Sequence, residues 1–175
     1  MPILVKHLGL ADYASTYEAM RTFTKERDAN TPDEIWILQH PPVFTLGLAG
    51  DAGNLHSPSQ DIPLVQVDRG GEITYHGPGQ IVVYLLLDLK RLGIFVKELV
   101  SCIEQALIDT LADYGIQAQR QKGAPGIYIA QQASIPEEWF GAKVAALGLK
   151  VSKSCSYHGL ALNVATDLDA FSRIH

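Results

Sequence analysis

Three clusters hold the residue types and spacings that could carry chemistry. The first is Arg69-Gly70-Gly71-Glu72-Ile73-Thr74-Tyr75-His76-Gly77-Pro78-Gly79-Gln80. Glycines let backbone come close to a ligand. The polar side chains between them make directional contacts. The stretch is longer than the roughly two to five residues that a plain hairpin needs. Neither Gly-x-Gly-x-x-Gly nor the phosphate-loop pattern occurs in it, and an apolar strand-like run follows, so it is not a nucleotide loop. An elaborate hairpin with a surface arginine is the plainer alternative.

The second cluster centres on Lys143, the only charge in Phe140 to Gly148. Strand alternation places Lys143, Ala145 and Leu147 on one face. Sharing a face with apolar residues would partly desolvate the amine, lower its pKa and make it a proton acceptor. A lysine facing water is the competing reading. The third cluster runs from Ser152 to Asn163 and contains Cys155 and His158. In an extended strand, residues three apart point to opposite faces, which argues against a Cys–His nucleophile pair. His158 followed by Gly159 fits a ligand approach or a bend in a sheet.

Around these clusters the chain reads as strands and two long helices. Ile3 to His7 is a short strand. Ala11 to Asp28 places Tyr13, Tyr17, Met20 and Phe23 on one helical face, as core packing. Glu34 to Gln39 is a strand, ended or bent by Pro41 and Pro42. His40 at that bend is either a site residue or a partner for backbone. Gly47 to Gln60 reads as a loop long enough to be a flap. Pro63 to Val67 and Ile81 to Leu87 read as buried strands. Lys97 to Tyr114 forms the longest helix, capped by Gly115, with Cys102 expected as a buried, inert thiol. Ile116 to Gln119, Gly126 to Ala130, Gly141 to Leu147 and His158 to Val164 complete the strands. A long hairpin loop spans 131–140. The pattern predicts an α+β fold, a mixed and largely antiparallel sheet with helices packed on it.

The length of 175 residues fits a single domain, 1–175. Hydrophobic content of 47% and charged content of 19% are ordinary for a globular protein. No apolar run approaches the length of about 18 residues that would span a bilayer. The N-terminus lacks a signal-peptide pattern, so a cytoplasmic location is expected. The two cysteines suit neither a disulfide framework nor a structural zinc site. A net charge of −5 argues against a general nucleic-acid binder. Basic residues concentrate late, at Arg120, Lys122, Lys143, Lys150, Lys153 and Arg173. They are either a docking face for an acidic partner or scattered solvated side chains.

The motifs resemble one family along essentially the whole chain. Arg-Gly-Gly-x-x-Thr-Tyr-His-Gly-Pro-Gly-Gln at 69–80 is similar to the signature of the octanoyltransferases of lipoate biosynthesis, the lipoyl(octanoyl) transferases. Asp33 to Trp36, His40 to Thr45, Ala124 to Tyr128, Lys143 to Gly148, His158 to Asn163 and Asp167 to Ile174 resemble that family as well. The resemblance implies a fold similar to the biotin and lipoate protein ligase catalytic domain. It implies transfer of an octanoyl group from acyl carrier protein to a lysine on lipoyl domains, such as those of 2-oxoacid dehydrogenases and the glycine-cleavage H protein. It implies a cysteine–lysine dyad, an acyl-thioester intermediate, and neither metal nor ATP. Nucleic acid and membrane are not among the implied partners.

Carried over residue by residue, the resemblance assigns Lys143 as the dyad lysine. Its acyl-binding segments map onto Arg69, Gly70, Gly71, Glu72, Ile73, Thr74, Tyr75 and His76, then Ala146, Leu147 and Gly148, then Gly159, Leu160 and Ala161. The family's nucleophilic cysteine falls in a turn just after the position of Arg173-Ile174-His175, so a catalytic domain lacking its C-terminal part is expected. Cys155 aligns elsewhere. The loop 131–140 is longer than the family's turn before the lysine strand. Two other readings stay open: an ATP-dependent lipoate- or biotin-type ligase, and a non-enzymatic protein that binds acyl groups or lipoyl domains.

Overall fold

The computed structural model describes residues 2–56 and 61–174. The chain forms two compact units, Met1–Asp88 with Gly148–His175, and Leu89–Leu147. The elements bear out a mixed α+β fold. No helix among the described residues is long and apolar enough to cross a membrane.

The first unit starts with β1 (Ile3–Leu10), α1 (Tyr13–Glu26) and β2 (Asp33–Gln39). It continues with β3 (Val43–Leu46), β4 (Leu64–Gln66), β5 (Ile73–His76) and β6 (Gln80–Leu86). In its larger sheet β1 pairs parallel to β2, β2 antiparallel to β6, and β6 antiparallel to β10 (Cys155–Asn163). The smaller sheet has the order β4-β3-β5.

Helix α1 starts where the Asp12 carboxylate accepts from the Ser15 amide at 2.9 Å, which satisfies an otherwise orphaned donor. Its apolar stripe lies over β2, β6 and β10. Met20, Trp36, Val82, Tyr84, Leu86 and Tyr157 share one buried cluster there. The expected stripe is present: Tyr13 and Met20 are buried, and Tyr17 and Phe23 pack partly buried beside the cluster.

The small sheet is a departure from the sequence reading. The stretch 69–80 is not one connecting loop, because β5 lies inside it and pairs antiparallel with β3. Pro41 and Pro42 end β2, and the chain re-enters as β3 in the other sheet, with Val43 opposite His76. The expected flap 47–60 contains a 3-10 turn at Ala52–Asn54 and a bridge between Leu55 and Ile174. Its residues 57–60 lie outside the described ones.

The second unit contains α2 (Leu89–Leu92), α3 (Val96–Asp113), β7 (Ala118–Gln121) and β8 (Ala124–Ile129). Strand β9 (Lys143–Ser152) begins in this unit and ends in the first. Its initial residues pair antiparallel with β8, Ala145 opposite Ile127 and Lys143 opposite Tyr128. Leu99, Ile103, Leu107 and Leu111 form the buried stripe of α3, which stops at Gly115 with φ 75°. Cys102 is exposed, contrary to expectation. It borders that stripe without joining it. Arg120 is tied to Glu104 at 3.0 Å, so it is not a free docking charge. The loop 131–140 contains a 3-10 turn at Glu137–Trp139.

A buried ion pair holds the start of β2. Arg27 Nη2 lies 2.6 Å from Asp33 Oδ1, with side-chain exposures of 3% and 4%. Arg27 Nη1 also donates to the Leu86 carbonyl at 3.1 Å, linking the end of α1 to β6. Removing one partner of such a pair strands a buried charge. Asp33→Ala is expected to lower unfolding free energy by about 3–5 kcal/mol in urea titrations. A loss under about 1 kcal/mol would contradict the pair's role.

Candidate functional site

The glycine-rich stretch is fastened by backbone before any side chain acts. Gly47 N donates to Glu72 O at 3.0 Å, Leu48 N to Arg69 O at 3.0 Å and Ala49 N to Gly71 O at 3.1 Å. Gly70 N donates to Leu149 O of β9 at 3.1 Å. Gly71 has φ 88°, a conformation that glycine adopts without steric cost.

Arg69 is buried inside this frame, at 8% exposure. Its Nη2 donates to the Thr45 carbonyl at 2.9 Å and to Thr45 Oγ1 at 2.8 Å, and Nη1 donates to Gly70 O at 3.0 Å. Its Nε is sealed and has no partner. Burial lowers the pKa of the guanidinium, and the Tyr13 and Tyr84 phenols act against that. Two glycines leave room for this arrangement. A Cβ on Gly148 would lie 3.0 Å from both Arg69 Cδ and Gly70 O. One on Gly47 would lie 2.8 Å from Arg69 Nη1 and closer still to Gly71 O.

Three buried histidines and several tyrosines adjoin it. His76 stacks on Tyr13 at 5.7 Å and meets His40 edge-on at 5.9 Å. His40 joins Ala11 O through Nδ1 and the Tyr84 hydroxyl through Nε2, both at 2.7 Å. His158 Nε2 lies 3.1 Å from Asp68 Oδ1, and the Tyr157 hydroxyl donates to Asp68 Oδ2. His158 has φ 59°, the left-handed region that non-glycine residues seldom adopt. Such strain persists where surrounding structure enforces it.

Burial sets the protonation states. It pushes His76 down to about 3, against a hydrogen bond with Gln80, and His158 down to about 4, against Asp68. It also lowers His40. Burial raises Asp68, but bonds from Tyr157, His158 and Tyr17 outweigh it and leave the carboxyl below its ordinary value. Burial, then the bond to Asp68, raises Tyr157. At neutral pH the Asp68–His158 contact is thus a hydrogen bond from neutral imidazole.

Within the first unit the structure brings Arg69, Gly70, Gly71 and Gly148 together. Ile73 and Tyr75 face the core, Thr74 is half-buried, and Glu72 is exposed. Gly159 serves the sheet: a Cβ there would collide with Val83 O of β6. Leu160 and Ala161 follow it on β10, half-buried and buried. Lys143, Ala146 and Leu147 belong to the second unit. Lys143 is exposed at the start of β9, with Nζ 5.3 Å from the Tyr128 ring centroid, so the expected desolvation is absent. Cys155 is buried and bridges to Asp88.

Sequence reasoning missed Asp68, Thr45 and Tyr157. Asp68 adjoins Arg69 in sequence, which was the one available hint. Thr45 joins the site only through the unforeseen small sheet. Among the described residues no group of three or more His, Cys, Asp or Glu is arranged to hold a metal.

The family of the lipoyl protein ligase A/B catalytic domain matches residues 12–175. The chain is 82% identical to the octanoyltransferase of Polynucleobacter asymbioticus, over 100% of this chain and 82% of that protein. It is 57% identical to the octanoyltransferase of Ralstonia pickettii, over 100% of this chain and 74% of that protein. Among solved structures it is similar to a bipartite lipoate protein ligase from Thermoplasma acidophilum, with TM-score 0.70, 16% identity, and coverage of 99% of this chain and 66% of that one. It is also similar to a lipoate-protein ligase A bound with ATP, with TM-score 0.61, 15% identity, and coverage of 98% and 70%. At these identities the structural likeness concerns the fold alone.

The buried histidines make stability pH-dependent. The unfolded chain binds their protons near the ordinary 6.5, whereas the folded chain resists until about 4 for His158 and about 3 for His76. Above pH 6.5 both states are neutral there and the histidine contribution is constant. Below it the unfolded state binds more protons, so stability falls progressively towards pH 4. Urea midpoints across that range are expected to drop as pH drops. The slope should be shallower in His158→Asn, since Asn tolerates the left-handed backbone. An unchanged slope would show that His158 does not contribute.

Proposed function

This chain belongs to the lipoyl protein ligase A/B catalytic domain family, and on that premise we propose how it acts. It is an acyltransferase of lipoate biosynthesis that transfers octanoyl groups. Lipoyl-domain proteins are its acceptors. The observation that carries this reading is 82% identity over the whole chain to an octanoyltransferase, with the Arg69 stretch assembled against Gly148.

The donor is octanoyl acyl carrier protein, and transfer runs through a cysteine–lysine dyad with Lys143 as its lysine. A thiolate is the natural nucleophile for a thioester, yet a free thiol with pKa near about 8.5 is mostly protonated at neutral pH. An ammonium beside it stabilises the thiolate. The thiolate sulfur attacks the donor's carbonyl carbon, the donor's C–S bond breaks, and carrier thiolate leaves. The lysine amine of the lipoyl domain then attacks the new thioester. The enzyme's C–S bond breaks, and the proton that the attacking nitrogen loses ends on its sulfur. Lys143 supports the first role by standing exposed at the head of β9, where an incoming group can reach it. The buried Cys155 is not the nucleophile in this reading.

Arg69 to His76, Ala146 to Gly148, and Gly159 to Ala161 line the octanoyl site in this reading. The close backbone approach that Gly148 permits beside Arg69 and Gly70 supports it. Residues 1–175 form one catalytic domain in this reading. A cytoplasmic location belongs to the same reading and is supported by the exposed Cys102 thiol, as a reducing compartment keeps it.

In the full-length protein, Lys143→Ala is expected to cut octanoyl transfer from the carrier protein to an apo lipoyl domain by about 100-fold or more. Its urea midpoint should not change, because the side chain is exposed. Turnover at the parent rate would overturn the role of Lys143.

A further inference from the structure

His76 is the one member of the glycine-rich stretch whose protonated nitrogen can be traced to a backbone anchor. Gln80 is 1% exposed. Its Nε2 lies 3.2 Å from the Tyr75 carbonyl and 3.0 Å from Asn163 Oδ1. A carbonyl only accepts, so the amide nitrogen of Gln80 must face Tyr75. The amide oxygen then faces the other way, 2.7 Å from His76 Nδ1. An amide oxygen also only accepts, so Nδ1 must carry the proton. With the imidazole neutral, Nε2 is left as a lone pair. Among the described residues it has no hydrogen-bond partner, and His76 is 7% exposed. The same logic gives His158 the opposite tautomer, since its Nε2 faces the Asp68 carboxylate.

We propose that Gln80 and Asn163 are positioning residues that lock His76 as a hydrogen-bond acceptor in the octanoyl site. This inference rests on the octanoyl-transfer reading. During transfer the reacting thioester oxygen and thiolate are acceptors, and of the two reacting partners the incoming lysine amine is the one with N–H donors. His76 Nε2 therefore holds an N–H of that amine and does not donate to the oxyanion. It takes no proton. The amine nitrogen bonds to the acyl carbon, the C–S bond breaks, and the thiolate takes the proton that this nitrogen loses, while His76 orients the nitrogen lone pair towards the carbon. Gln80 contributes without touching substrate.

Long-range 1H–15N correlation spectra of the full-length protein at neutral pH read the tautomer directly. His76 is expected to be protonated at Nδ1 and bare at Nε2. Gln80→Met removes the acceptor and is expected to mix the tautomers. It should also slow transfer to an apo lipoyl domain about tenfold, with KM for the octanoyl donor and the rate of enzyme acylation unchanged. Gln80→Glu, whose carboxylate still accepts from Nδ1–H, is expected to restore the tautomer. A parent protein protonated at Nε2 would overturn the proposal. So would a Gln80→Met variant that transfers at the parent rate, or one that loses acylation and transfer equally. If Gln80→Met does not fold, the parent spectrum and Gln80→Glu still decide. A parent protein that transfers no octanoyl group would sink the functional reading, and with it the amine contact. The spectrum would still report the tautomer lock separately.

Discussion

A guanidinium buried without a carboxylate partner sets the terms for the polar half of this structure. Arg69 is 8% exposed, and no described carboxylate pairs with it. Taking such a charge out of water costs several kcal/mol unless hydrogen bonds replace the lost hydration. Three oxygens do so, two of them on Thr45. Thr45 sits on the middle strand of the small sheet, so the charge is tied to the most constrained backbone nearby. The close packing then excludes side chains at Gly47 and Gly148. The glycines here make room for a buried cation as much as they permit tight turns.

The same charge governs its neighbours. It adds to burial in keeping His76 and His158 neutral. Neutral imidazoles have one donor and one acceptor, and each here is oriented by a group that can only accept: Ala11 O for His40, Gln80 Oε1 for His76, Asp68 for His158. Asp68, the residue before Arg69, gathers His158 and Tyr157 on one carboxylate. His158 makes that contact from a left-handed backbone conformation that non-glycine residues seldom adopt. Charge burial, tautomers and strain thus belong to one connected arrangement.

Much of the fold was legible because helical periodicity survives in sequence. The stripe from Leu99 to Leu111 marked α3 nearly to its ends. Of the small sheet only β4 was legible, as the strand at Pro63 to Val67; β3 and β5 have four residues each, too few for a period to emerge, and prolines or glycines flank them. Cys102 was misread because it borders an apolar stripe without belonging to it. The desolvation expected of Lys143 was misread for a different reason. Alternation predicted its face and says nothing about its place at the end of a strand, where solvent reaches it. Arg69 and its glycines were legible as a motif. Their partner Thr45 was not, because twenty-four positions separate them and only tertiary pairing joins them.

The most direct measurement is intact mass spectrometry of an apo lipoyl domain incubated with the full-length protein and octanoyl acyl carrier protein, without ATP. Gain of one octanoyl group on the domain's target lysine is the predicted result. Modification that appears only with free octanoate and ATP, and never from the thioester, would contradict it.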